Sequence, residues 1–72
     1  MTPTKAKNHR KRLGLSQVKT ARMAGVSRYR YIMWELENDP LRPDELHLVS
    51  ELFRELARDQ MKELAAIPHS AG

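Results

Sequence analysis

Cysteine is absent from this 72-residue chain. That removes disulfides and thiolate metal sites as staples and fits a reducing compartment. No stretch has the roughly 20 apolar residues that cross a bilayer, and Met1 to Arg12 lacks the apolar run of a secretory leader. A cytoplasmic protein with no membrane partner is expected. Strand signals are missing too: there is no alternating Val/Ile/Thr run and no Asn-Gly turn, so the chain reads as all-α. There is no glycine-rich phosphate loop, and His9, His47 and His69 stand too far apart in sequence for paired metal-ligand spacing. Ser16, Ser27 and the carboxylates have helix-cap and surface explanations. No catalytic set, no metal and no cofactor is expected, and the chain does not read as an enzyme.

Acid is missing from the first half. Thirteen Lys and Arg against nine Asp and Glu leave a net charge of +4. Nine of the basic residues (Lys5, Lys7, Arg10, Lys11, Arg12, Lys19, Arg22, Arg28 and Arg30) lie between Met1 and Trp34 with no carboxylate among them. From Glu35 onward four basic residues face nine acidic ones, so the two halves carry +9 and −5. A short basic run is usually a solvated surface. A half-chain without one carboxylate sets up a field that nothing within it neutralises, which favours an anionic partner, nucleic acid first.

The length allows one domain with a small core, since a chain this short buries only about 60% of its unfolded surface. Gly14, Gly25, Pro40 and Pro43 cut it into four periodic pieces. Thr4–Leu13 starts after Thr2 as N-cap with Pro3 in the first helical position, and only Ala6 and Leu13 give it an apolar face. Gln17–Ala24 has Ser16 as N-cap and a small-residue face of Val18, Ala21 and Ala24. Gly25 suits the left-handed conformation of a helix end, and Ser27 caps the next piece, Arg28 to about Leu36. Helix, three-residue turn, helix is the local geometry of a helix-turn-helix unit. "ENDPLRP" then forms a loop, and the last helix begins at Pro43 with Asp44 and Glu45 suited to its dipole. Leu46, Val49, Phe53 and Leu56 form its apolar stripe, which resumes at Met61, Leu64 and Ile67.

The residues "GLSQ", Ala21, "GVS", Glu35 and a helix beginning after a proline resemble the lambda-repressor-like (Cro/repressor, XRE) helix-turn-helix family. The resemblance spans roughly Lys7 to Leu56 and rests on spacing as much as identity. It implies a compact bundle of four to five helices with a central helix-turn-helix, a DNA-binding domain over residues 1–67 and a flexible tail over 68–72. Gln17–Ala24 would cross the DNA backbone and Arg28–Leu36 would enter the major groove. Thr20 and Ala24 depart from the family's large aliphatics, and Tyr31 and Trp34 from its Ile or Leu, an exchange of small for large that reads as volume compensation. The loop leaves two registers open. In one, Glu35 ends the recognition helix and pairs with Arg10, as the family's first-helix arginine commonly does. In the other, Glu37 takes that place, Ile32, Met33 and Leu36 face the core, and Trp34 faces out.

With Tyr31 and Trp34 inward, helical geometry turns Arg28, Tyr29, Ile32 and Met33 outward as base-contact candidates, and the resemblance implies base contacts at positions 28, 29 and 33. Arg28 has the forked donors suited to guanine, Tyr29 a hydroxyl and a ring for thymine methyl, and Ile32 and Met33 only apolar contacts. Gln17 and Ser27, at helix starts, are phosphate candidates, as are Lys19, Arg30 and Arg42. Gln17 is also expected to brace the recognition helix. The expected function is sequence-specific binding of double-stranded DNA by a transcriptional regulator, a repressor or autoregulator. It would act as a homodimer on a near-palindromic operator, with Met61, Leu64 and Ile67 as the candidate interface. Other readings are the antitoxin of a toxin–antitoxin pair, whose acidic half binds a protein partner, and a phage-borne or restriction–modification operon controller. A basic amphipathic protein at a membrane surface is a further one, although the first helix lacks the Leu/Phe/Trp face such binding needs.

Overall fold

The computed structural model describes the backbone of residues 1–66 and the side chains of residues 1–61. Within them lie four helices and no strand: α1 (Pro3–Arg12), α2 (Gln17–Ala24), α3 (Arg28–Glu35) and α4 (Pro43–Ala66). Their starts follow from side-chain oxygens that take up otherwise unpaired backbone N–H groups. The Thr2 hydroxyl accepts from Lys5 N at 3.2 Å with Pro3 opening α1, and the Ser16 hydroxyl accepts from Lys19 N at 3.0 Å. Ser27 does the same for Arg30 N at a longer 3.5 Å. Before α4 stands Arg42, which has no capping oxygen. The Glu45 carboxylate reaches back instead and accepts from Arg42 N at 2.9 Å, the return half of a capping box.

Three of the helices end in one motif. After α1, Gly14 turns left-handed at φ 71°, its N–H donates to Lys11 O, and Leu15 N donates to Arg10 O. After α2, Gly25 sits at φ 79°, with Gly25 N bonded to Arg22 O and Val26 N to Ala21 O. After α3 the same pair of bonds recurs, Glu37 N to Trp34 O and Asn38 N to Met33 O, and the left-handed residue is Glu37 at φ 62°. This is the Schellman arrangement, which satisfies helix-end carbonyls by reversing the chain.

The core is built where the four helices meet. Ala6, Ala21, Ala24, Tyr31, Trp34, Leu41, Val49, Leu52 and Phe53 are buried together, with Leu13, Val26, Leu46 and Leu56 packed against them. Thr20 is fully enclosed, and its hydroxyl donates to Ser16 O at 2.8 Å, so a polar side chain is buried with its hydrogen bond made. The Tyr31 and Trp34 rings tilt against each other with centroids 5.7 Å apart, and His9 of α1 lies 5.8 Å from Phe53 of α4. Three differences from the sequence expectation stand out. Val18, expected on the buried face of α2, is 36% exposed, and that face is made by Thr20, Ala21 and Ala24. Leu52 joins the α4 stripe. Leu41, inside the proline-rich loop, turns into the core and closes the bottom of the α3–α4 connection. From Ala57 to Met61 every α4 side chain is exposed, with Ala57 and Gln60 bordering a shallow cleft against His9, Arg12 and Leu13 at the end of α1.

Candidate functional site

The back of α3 is held by a polar clasp. Arg10 of α1 donates from Nε to Glu35 Oε2 at 3.0 Å and from Nη2 to Glu35 Oε1, and its Nη1 donates to Leu15 O at 3.0 Å. Gln17 of α2 adds its amide to Glu35 Oε1 at 3.2 Å. One carboxylate at the end of α3 thus gathers side chains from α1 and α2. The Glu35 side chain is 1% exposed and that of Arg10 11%, so the pair is largely out of water. Burial pushes the Glu35 carboxyl up, and the hydrogen bonds and charge of Arg10 outweigh it, leaving the group below its ordinary value. The Tyr31 hydroxyl is buried beside the pair, outside hydrogen-bond geometry with any described residue, and its pKa is raised, by burial first and by the neighbouring Glu35 carboxylate second. The clasp fixes the register: Tyr31, Trp34 and Glu35 are buried, whereas Leu36 is 58% exposed and Glu37 lies in solvent.

The front of α3 is uneven. Arg28 and Tyr29 in its first turn are exposed, Tyr29 at 67%. Ile32 and Met33, expected to face out with them, are half-buried. The chain reverses after α3, where Met33 O accepts from both Asn38 N and Asp39 N. The exposed edge available to a ligand is therefore the N-terminal turn.

The cationic candidates divide into two groups. Lys19 is exposed, as are Lys5, Lys7, Lys11, Arg12, Arg22 and Arg28, and none of these seven makes an ion pair with a described residue. Arg30 does not belong with them. Its Nε donates to Glu45 Oε2 and its Nη2 to Glu45 Oε1, both at 2.7 Å, which ties α3 to the first turn of α4. Arg30's hydrogen bonds are the largest cause that draws the Glu45 carboxyl down to about 2, with the Arg42 N–H and the charge of both arginines adding to it. Arg42 itself keeps a side chain 71% exposed, with Nε 4.0 Å from Glu45 Oε1. Ser27 is committed to its cap, and Gln17 to Glu35. Glu45 is the residue that sequence reasoning passed over. Its position in the first turn of α4 explained it as a dipole partner, and nothing in the local pattern connects it to a residue 15 positions earlier.

Of the interface candidates, Met61 is 71% exposed, whereas Ile67 and the side chain of Leu64 lie outside the described residues, as does the tail 68–72. No helix among the described residues is long and apolar enough to cross a membrane. No family model, no curated protein and no solved structure matches this chain.

Proposed function

We propose that this chain is a sequence-specific, double-stranded-DNA-binding transcriptional regulator of the helix-turn-helix kind, a repressor or autoregulator that reads the major groove with α3. One observation carries the reading. α3 is gripped from behind by Arg10 and Gln17 through Glu35, while its first turn holds Arg28 and Tyr29 in solvent with no side-chain partner among the described residues. A short helix fixed on one face, with a forked donor and an aromatic hydroxyl free at its N-terminal end, suits the base-reading end of a helix-turn-helix. The seven exposed cations without a described carboxylate partner supply the phosphate attraction such binding needs. Two copies act together, because one short helix reads too few base pairs to find a site among a genome's competitors. The exposed end of α4 is where they meet, with Met61 as an exposed apolar residue there.

The test is the salt dependence of binding to duplex DNA, followed by fluorescence anisotropy. Five neutralised phosphates per subunit give a slope of log affinity against log salt of about −4 to −5 per subunit, and twice that for a bound dimer. A slope near zero removes the nucleic-acid reading.

A further inference from the structure

Arg30 lies in the basic half of the chain and on the candidate recognition helix, and yet it is the cation most completely engaged by an acid from α4. Both Glu45 oxygens are used: Oε2 by Arg30 Nε, and Oε1 by Arg30 Nη2 and the Arg42 backbone N–H. A side-on guanidinium fork together with a backbone N–H at the start of a helix is the donor set that holds a phosphate. We infer that Glu45 is a built-in stand-in for a DNA phosphate, a positioning residue that occupies Arg30 and so lowers the sequence-independent part of the protein's affinity for DNA. The inference rests on the DNA-binding reading and deepens it.

The geometry supports this in two further ways. The Glu45 side chain is only 14% exposed, so it is packed at the α3–α4 junction, and it is anchored there by its bond to Arg42 N as well as by Arg30. An arriving phosphate must compete with a carboxylate that is already seated. Glu45 also stays ionised throughout the neutral range, since its carboxyl is drawn down to about 2. Arg28 and Lys19 have no such partner among the described residues and stay available. The consequence is economy of binding: a genome offers about 10⁶–10⁹ non-specific sites, and each cation withheld from them leaves more protein free for an operator.

The experiment measures binding to a random-sequence 20-base-pair duplex as a function of salt, for the wild type, Glu45→Gln and the double variant Arg30→Gln/Glu45→Gln. Glutamine at position 45 keeps an oxygen for the Arg42 N–H, as a capping box accepts either residue, so the start of α4 is preserved; thermal melts of each variant verify this. Glu45→Gln is expected to steepen the slope by about 0.9 per subunit and to tighten binding roughly 8-fold at 0.1 M salt. The double variant, which removes the pair without changing net charge, is expected to return the slope to the wild-type value. An unchanged slope in Glu45→Gln with a lower melting temperature makes the pair a strut between α3 and α4 and overturns the inference. A double variant shallower than the wild type by about 0.9 also overturns it, because Arg30 must then reach phosphate while paired. A wild type that binds no duplex removes the DNA reading and the inference with it, whereas a binding wild type with an unresponsive Glu45→Gln removes the inference alone.

Discussion

A single residue, Glu37, shows how a helix end can be hidden from a sequence reader. The ends of α1 and α2 were legible because glycine stands at each left-handed position, and glycine takes that conformation without the crowding a Cβ introduces. α3 ends in the same arrangement of bonds with a glutamate at φ 62°, so the loop "ENDPLRP" carries no glycine signal and leaves Glu35 and Glu37 as rival ends. The strain is local, on the order of 1–2 kcal/mol for an L-residue in this region. Glu37→Gly is accordingly expected to stabilise the protein by about 1 kcal/mol, read from urea unfolding. A loss of stability from that change contradicts the reversal at this position. The aromatic pair belongs to the same scale. Tyr31 and Trp34 were placed inward by the resemblance, with Thr20 and Ala24 read as the small residues that compensate for them, and all four are buried. Val18 was misplaced because hydrophobicity alone ranks it above threonine. What decides the matter is that the Thr20 hydroxyl bonds to Ser16 O and can therefore be enclosed.

Between elements, two ion pairs fasten α3, and they differ in how visible they were. The Arg10–Glu35 clasp was expected from the resemblance alone. Glu35 has a side chain 1% exposed, so Arg10→Ala leaves a buried carboxylate without its main partner, which costs about 3 kcal/mol or more. Replacing both with apolar residues, Arg10→Met with Glu35→Leu, is expected to recover most of that loss in the same denaturation experiment, since the penalty comes from the orphaned charge. Recovery of none of it contradicts a purely electrostatic cause. The Arg30–Glu45 pair was not legible: it joins residues 15 apart across a loop, and only the three-dimensional return of α4 brings them together. Both carboxylates titrate below the ordinary glutamate value of 4.5, Glu45 at about 2. A depressed folded-state pKa means that the unfolded chain takes up protons first. The stabilisation from both groups is therefore present above about pH 4.5 and is lost as the pH falls below it, that of Glu45 toward pH 2. Melting temperature followed from pH 7 to pH 2 is expected to be level down to about pH 5 and to fall below it, with a shallower fall in Glu45→Gln. A melting temperature that rises on acidification contradicts the sign.

On the scale of the whole molecule, the division of charge seen in the sequence survives folding only in part. Two of the nine basic residues of the first half are cancelled by carboxylates of the second, and seven remain exposed without a described partner. Helix order and the three-residue turn were readable because each depends on residues within one or two turns of one another, whereas the buried face of α3 stayed between two registers and is decided by Arg10, 25 residues before Glu35. The half-burial of Ile32 and Met33 was not legible, because helical geometry within α3 turns both outward and carries no information on what packs around the helix. The proposed base reading therefore rests on Arg28 and Tyr29. The measurement that bears most directly on this is selection of bound sequences from random duplex DNA by the wild type and by Arg28→Ala. The wild type is expected to enrich a near-palindrome whose half-site centres lie about one helical turn, ~34 Å, apart. Arg28→Ala is expected to lose preference at a single position of each half-site, at a cost of about 1–3 kcal/mol. Failure of the wild type to enrich any sequence, or a motif that Arg28→Ala leaves unchanged, contradicts it.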